Sequence, residues 1–324
     1  MKRLIVICVL LLTSGIAHTK EKTEAGFRAY VASLKQQAQD KGFSQAWLDT
    51  TLTEMAFRPT VIASDKNQPE RKTTLDDYLA TRVPDWKVEQ AVEKLASRQD
   101  LLDEIGTKYG VQPRFIVALW GNESNFGRIQ GNHDVLSALA SLAYEGRREA
   151  LFKKQFFAAL TILNEGHIDR QAFNGSWAGA MGQSQFMPTS FLTYAVDYDG
   201  DGKKDIWGTE ADVFASIANF LASEGWNDAL TWGRQVKVQG DPNTLSQGLS
   251  HQASLADWQQ SGVRRYNGNN LPTNEIDASL IMPDGPDGRI YLVYDNFRTL
   301  MRWNRSLYFG VSVGYLSDRI KRGY

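Results

Sequence analysis

Three glycine-rich turns, at residues 121–131, 174–182 and 199–208, interrupt a dense, aromatic block of the chain that extends over residues 109–231. Glycine adopts backbone conformations that other residues avoid, so such turns separate helices rather than belong to them. The apolar segment Phe115–Trp120, which lies directly before the first turn, has the pattern of a buried helix. The block is therefore predicted to be a helical core.

The rest of the chain divides by its residue pattern. Residues 18–108 place apolar side chains three and four apart between charged ones, which predicts an N-terminal helical region broken by prolines. In residues 232–292 the segments Gln235–Val238 and Arg289–Val293 alternate like strands, among many turn-forming residues. Residues 293–324 return to helical spacing and are expected to rejoin the core. The prediction is a mainly α fold with a small β-rich insertion.

The first 17 residues have the pattern of a secretory signal peptide. Lys2 and Arg3 precede the unbroken apolar run Leu4–Leu12, and the small residues of Ser14–Ala17 follow, so cleavage is expected after Ala17. The apolar run is shorter than the roughly 20 residues that span a bilayer, which disfavours an uncleaved anchor. We therefore expect export to the periplasm.

Cysteine content and charge exclude several classes of function. The single cysteine, Cys8, lies within the predicted signal, so the mature chain would have neither a disulfide nor a cysteine nucleophile. The chain has 36 basic and 37 acidic side chains, without the basic footprint of a nucleic-acid-binding protein. It also lacks a long basic amphipathic helix for a membrane surface. We expect a soluble protein with no nucleic-acid partner and no stable membrane insertion.

Glu123 is the candidate catalytic acid. It follows Leu119 by four residues and Trp120 by three, so it extends the apolar face of the predicted helix. A carboxyl group held against aromatic surface has its charged form disfavoured, which raises its pKa toward that of a general acid. Spacing alone leaves two other interpretations open, in which Glu123 is solvated or caps a neighbouring helix.

Six segments of the chain form a set that occurs in one order within residues 75–320: Ala118–Gly127, Leu139–Tyr144 with Arg147 and Arg148, Gly175–Pro188, Asn219–Leu221, Tyr294–Arg298 and Arg302–Ser306. In these segments the sequence resembles the membrane-bound lytic transglycosylase B family and its soluble relatives. The resemblance is most specific at Ser176–Pro188. The resemblance implies a lysozyme-like helical core and a peptidoglycan-cleaving enzyme without an organic cofactor.

The resemblance also implies roles for individual residues. The catalytic glutamate of the family corresponds to Glu123, and its helper hydroxyl and amide correspond to Ser176 and Gln185. The residues that line its glycan groove correspond to Arg147, Arg148, Phe220, Trp303 and Asn304. Trp303 and Phe220 are often tyrosine in the family, so a stacking face is kept here while a phenolic hydroxyl is lost. From the residues alone, the glycine-rich segment could be a flexible connection and the tryptophans could be core.

The implied chemistry uses one acid. Glu123 would protonate the glycosidic oxygen between N-acetylmuramic acid and N-acetylglucosamine and then accept the proton of the 6-hydroxyl, which closes a 1,6-anhydro ring. Conventional glycosidases need two carboxylates. The alternatives are a hydrolytic muramidase, which would release a reducing sugar, and a non-catalytic peptidoglycan-binding protein.

Residues Asp197–Asp205 match the opening of a calcium loop, D-x-D-x-D-G. Oxygens at its first, third and fifth positions converge on a hard cation, and the seventh position supplies a backbone carbonyl. These positions predict the ligands Asp197, Asp199, Asp201 and the Lys203 carbonyl. The ion would be structural calcium, with sodium as an alternative.

The end of the predicted loop departs from the pattern. Its twelfth position is Gly208, which has no carboxylate, so Glu210 or Asp212 would have to close a longer loop. The resembled family favours Asp212. An acidic turn that binds no metal is the remaining alternative.

Overall fold

The computed structural model describes residues 22–67 and 73–323. The predicted signal peptide, with Cys8, lies outside the described residues. Within them, none of the helices combines the length and the apolar character needed to cross a membrane.

The N-terminal region is helical. Thr23, Ser44 and Thr74 each accept a backbone N–H with their side-chain oxygen and thereby begin a helix. Pro59 begins another helix, and Pro84 directly precedes one, because proline is tolerated where the N–H has no helical partner. The helices are α1 (Glu24–Asp40), α2 (Gln45–Thr51), α3 (Pro59–Lys66), α4 (Leu75–Arg82), α5 (Asp85–Ser97) and α6 (Gln99–Tyr109).

Five further helices form the centre of the molecule. They are α7 (Pro113–Ser124), α8 (Val135–Glu145), α9 (Glu149–Asn164), α10 (Pro188–Tyr194) and α11 (Glu210–Ser223). Helix α7 is buried continuously from Phe115 to Gly121, because α5, α6 and α11 pack around it. An apolar run on all faces is what such a central helix requires.

The β structure is small. Strands β1 (His133–Asp134) and β2 (Asn174–Gly175) form an antiparallel pair that joins the start of α8 to the loop before α10. A five-stranded antiparallel sheet has the order β4-β6-β7-β3-β5. Its strands are β3 (Gly233–Val238), β4 (Ala253–Ser254), β5 (Val263–Arg265), β6 (Asp277–Ile281) and β7 (Ile290–Val293). With α12 (Leu255–Gln260) the sheet encloses a second apolar cluster that includes Val236, Trp258 and Leu292.

The C-terminal segment returns to the core as two helices, α13 (Asp295–Trp303) and α14 (Leu307–Arg322), where the sequence pattern indicates one. Ser306 accepts the N–H of Phe309 and so begins α14. Helix α14 packs along α7, with the Trp232 ring against Gly314 at a distance that leaves no room for a Cβ. The mainly α fold with a small sheet, predicted from the sequence, is confirmed.

Candidate active site

Glu123 is the penultimate residue of α7, at the point where the chain reverses direction. The reversal places two non-glycine residues in the left-handed region, Asn125 at φ 52° and Phe126 at φ 59°. Such conformations are uncommon and concentrate at functional sites. The Ser124 hydroxyl accepts the Gly127 N–H at 2.9 Å and holds the turn. Glu123 therefore projects from a fixed helix end rather than from a mobile loop.

The surroundings of Glu123 favour its protonated form. Glu123 keeps part of its surface exposed, but its carboxyl group is enclosed by protein atoms, and the Trp303 indole Nε1–H donates a hydrogen bond to Oε1 at 2.5 Å. Burial raises the pKa of Glu123 to about 7, against the lowering effects of the Trp303 hydrogen bond and the positive charge of Arg82. Removal from water is thus the dominant effect. A carboxyl group with this pKa can donate a proton and accept one near neutral pH.

Aromatic rings form a surface beside Glu123. The Trp303 ring lies 4.7 Å from the ring of Phe220 and 5.3 Å from that of Phe186, measured between centroids. Tyr194 extends the group on the far side of Phe220, with centroids 4.5 Å apart. We call these four residues the aromatic cluster. Rings of this kind suit the apolar faces of sugars while polar groups at the edge meet the hydroxyls.

Ser176 and Gln185 lie in the glycine-rich loop before α10. The Ser176 hydroxyl accepts the Ala180 N–H at 3.0 Å, which leaves its own hydrogen free to donate. Gln185 has a φ of 50°, and its amide donates to the carbonyls of Gly182 at 2.9 Å and Gln130 at 3.1 Å. Its amide oxygen keeps its capacity to accept. Within the described residues, neither side chain is hydrogen-bonded to Glu123.

Two buried residues support the site without having been assigned a role from the sequence. Gln183 accepts the Trp120 indole N–H at 2.7 Å and donates to the Trp207 carbonyl at 2.9 Å, which ties the loop to α7. Lys87 donates to the Gly121 carbonyl at 3.2 Å, and burial lowers its pKa to about 8, with a smaller contribution from Arg82. The one sequence feature that could have identified Gln183 is its position inside the matching segment Gly175–Pro188.

The other three predicted groove residues contact groups other than Glu123. Arg147 and Arg148 both pair with the buried carboxylate of Asp65. They line a surface cavity together with Lys41. Asn304 is exposed directly after α13, where its side chain accepts the Ser306 N–H at 3.0 Å. Of the five predicted substrate-binding residues, the structure brings Trp303 and Phe220 together with Glu123.

The predicted metal loop brings three carboxylates together. One oxygen each from Asp197, Asp199 and Asp201 lies within 4.8 Å of the others. Asp197 also accepts the backbone N–H groups of Gly200 at 2.8 Å and Gly202 at 2.9 Å, which curls the loop around the group. Three carboxylates held this close repel one another unless a cation lies between them, so the donor set fits a hard cation.

The two candidates for the closing ligand have other partners. Asp212 is fully buried, and its two oxygens accept the N–H groups of Tyr198 and Asp205, each at 2.7 Å. Burial raises the pKa of Asp212, and these hydrogen bonds oppose the rise. Glu210 forms a two-point ion pair with Arg98, at 2.6 and 2.8 Å. Asp212 thus fastens both ends of the loop, while Glu210 fastens α11 to the junction between α5 and α6.

A family model described as the transglycosylase SLT domain matches residues 26–318, which is most of the chain. The chain belongs to this family. The membership accounts for the resemblance found at Ala118–Gly127 and Gly175–Pro188, and the structural neighbours confirm the lysozyme-like helical core.

Several relatives are similar over long stretches. The membrane-bound lytic murein transglycosylase B of Escherichia coli is 33% identical over 227 residues, covering 68% of this chain and 60% of that protein. The structure of SltB3 from Pseudomonas aeruginosa in complex with NAG-anhNAM-pentapeptide has 39% identity and a TM-score of 0.87, covering 91% of this chain and 79% of the other. The E. coli lytic transglycosylase SLT35 in complex with calcium has 26% identity and a TM-score of 0.79, covering 93% and 94%.

Proposed function

We propose that this protein is a lytic transglycosylase that cleaves the β-1,4 bond between N-acetylmuramic acid and N-acetylglucosamine in peptidoglycan. The observation that carries the proposal is Glu123, a half-buried acid with a pKa of about 7, hydrogen-bonded to Trp303 within the aromatic cluster. The family membership and the peptidoglycan fragment bound by SltB3 support the substrate. An exported enzyme in the periplasm would meet this substrate directly.

In the proposed first step, protonated Glu123 donates its proton to the glycosidic oxygen, and the bond from the muramic acid C1 to that oxygen breaks. The leaving N-acetylglucosamine departs with a free 4-hydroxyl. The acetamido group of the muramic acid stabilises the positive C1, as in substrate-assisted glycosidases. Because the carboxyl is largely removed from water, its neutral form is available at neutral pH.

In the second step, the Glu123 carboxylate accepts the proton of the 6-hydroxyl of the same sugar, whose oxygen bonds to C1. The products are a 1,6-anhydro ring and a reprotonated Glu123, and water is not consumed. The tethered hydroxyl has a high effective concentration, which favours it over water.

The other predicted residues have supporting roles in this proposal. Ser176 would donate its free hydroxyl hydrogen to the acetamido or sugar oxygens, and Gln185 would offer its amide oxygen. Phe220 and Trp303 would stack on sugar rings. The exposed groups Arg147, Arg148 and Asn304 would contact more distant parts of the glycan.

We also propose that the loop at Asp197, Asp199 and Asp201, with the Lys203 carbonyl, binds calcium in a structural role. The calcium complex of SLT35 supports the choice of ion. With both Asp212 oxygens accepting backbone N–H groups, that residue would shape the loop, and water would complete the coordination.

Mass spectrometry of the soluble products from purified sacculi tests the proposal. We expect muropeptides lighter by one water than reducing muropeptides, and Glu123→Gln should release none of them while still binding sacculi. Reducing products would instead establish a hydrolase. Binding of sacculi without any release by the wild type would establish the non-catalytic alternative.

A further inference from the structure

Lys87, on α5, carries a buried ammonium group that the proposed mechanism does not use. The residue is 6% exposed, and its Nζ donates to the Gly121 carbonyl of α7 at 3.2 Å. Within the described residues, it forms no ion pair with a carboxylate. The neighbouring charge that acts on it, that of Arg82, is also positive. Because lysine is almost never buried without a partner of opposite charge, its presence at this position needs a physical reason.

Stability does not supply that reason. Burial, with a smaller contribution from Arg82, lowers the pKa of Lys87 to about 8, so the charged form is disfavoured although it still prevails at neutral pH. The Gly121 carbonyl also accepts the Asn125 N–H at 3.2 Å, so it would keep a hydrogen-bond partner without Lys87. Even a paired buried charge can often be replaced by an apolar side chain without loss of stability. The fold should therefore tolerate Lys87→Met.

The contacts of Lys87 lie instead at the end of the catalytic helix. Gly121 lies two residues before Glu123, and the chain reverses soon after it through the left-handed residues Asn125 and Phe126. The Phe126 ring lies against Gly121, where a Cβ would come within 2.8 Å of it. Lys87 holds the carbonyl of the same residue, at the end of the helix where a cation also interacts favourably with the helix dipole. Two contacts therefore fix Gly121, one on its Cα and one on its carbonyl oxygen.

We propose that Lys87 is a positioning residue for Glu123, which it holds in place through the Gly121 carbonyl. The inference rests on the proposed function, in which one carboxyl group donates a proton to the glycosidic oxygen and then accepts one from the 6-hydroxyl. Both transfers require the carboxyl within hydrogen-bond reach of an oxygen, and a displacement of about 1 Å can cost roughly 100-fold in rate. Trp303 fixes the tip of the side chain, while Lys87 fixes the backbone from which it projects.

Lys87→Met tests the inference, because it removes the ammonium group and keeps an unbranched side chain. We expect a Tm no lower than that of the wild type, a kcat lowered about tenfold and a KM within about twofold, since a carboxyl that is less well placed slows the reaction without weakening the binding of glycan. The alkaline limit of activity should remain near the pKa of Glu123, about 7, because Lys87 acts on position rather than charge. Lys94→Met, on the same helix, is the matched control and should leave kcat and KM unchanged.

Hydrogen exchange adds a readout that needs no turnover. The Asn125 amide, which donates to the Gly121 carbonyl, should exchange about tenfold faster in Lys87→Met, because the last turn of α7 opens more readily. A lower Tm in Lys87→Met would identify Lys87 as a residue that stabilises the fold and would overturn the inference, and so would an unchanged kcat or an unchanged exchange rate. Product analysis with sacculi tests the proposed function separately, and the exchange rate decides the inference even for a wild type that releases no muropeptides.

Discussion

Two regions of the molecule use carboxyl groups in opposite ways. At the end of α7, a single carboxyl, that of Glu123, is buried beside aromatic rings and receives one side-chain hydrogen bond, from Trp303. In the loop after α10, the carboxylates of Asp197, Asp199 and Asp201 lie within 4.8 Å of one another and accept several backbone N–H groups. The first environment disfavours charge, and the second accumulates it.

The difference shows what decides the chemistry of an acidic side chain. Burial that a single donor only partly offsets stabilises the neutral acid, which can then deliver a proton. Backbone donors, together with a cation, stabilise the carboxylate, which can then hold a loop. Asp212 lies between these extremes, because it is fully buried like a catalytic acid but accepts two N–H groups that oppose the rise of its pKa.

The largest expected effect comes from pH. Since Glu123 must be protonated to donate, activity should be present below its pKa of about 7 and be lost as the pH rises through that value. We expect kcat/KM at pH 9 to be roughly fiftyfold lower than at pH 7, because the protonated fraction falls tenfold per unit above the pKa. The measurement is the initial rate of release from labelled sacculi between pH 5 and 9. A rate that stayed constant up to pH 9 would show that catalysis does not depend on a protonated Glu123 with a pKa of about 7, and it would contradict the contrast between the two acidic regions.

Calcium should act on the loop at Asp197, Asp199 and Asp201. There it should stabilise the fold without taking part in the reaction. At a free concentration ten times the dissociation constant, calcium should raise the free energy of unfolding by about 1.4 kcal/mol. Asp199→Asn should remove this increment, because the amide keeps the oxygen that accepts the Asp201 N–H but lowers the negative charge. Thermal unfolding with calcium and with a chelator measures the difference.

Asp241→Asn is the matched control for this experiment. Asp241 also caps a turn, by accepting the Asn243 N–H at 2.9 Å, but it lies in the β-rich insertion. Its substitution should preserve the response to calcium. If Asp199→Asn and the wild type were stabilised equally by calcium, the loop at Asp197, Asp199 and Asp201 would not be the calcium site.

Local pattern was sufficient for part of this structure. The apolar run before Glu123 predicted a buried helix, and α7 is buried from Phe115 to Gly121. Alternation predicted the strands that became β3 and β7. The strands β4 and β5 have two and three residues, which is too short for alternation to be recognised. The break between α13 and α14 was also missed, because both helices have helical spacing.

Contacts between distant residues could not be predicted from the sequence pattern. The hydrogen bond from Trp303 to Glu123 joins residues 180 positions apart. Lys87 reaches the Gly121 carbonyl from a different helix, and Asp65 pairs with both Arg147 and Arg148 from a third. Periodicity describes which face of an element is buried but not which side chains meet there. The family resemblance indicated that Trp303 belongs to the groove, without indicating that it donates to the acid.

Trp303→Phe gives the smallest and most specific effect. Its indole N–H lowers the pKa of Glu123, so the substitution should raise that pKa and move the alkaline limit of activity upward by about 0.7 pH unit, since a net hydrogen bond contributes near 1 kcal/mol. The midpoint of the pH profile reports this shift even if weaker stacking lowers the maximal rate. Trp86→Phe, an exposed tryptophan of α5, should leave the midpoint unchanged. A downward shift in Trp303→Phe would mean that the ring mainly excludes water from Glu123, in which case desolvation by Trp303 outweighs its hydrogen bond.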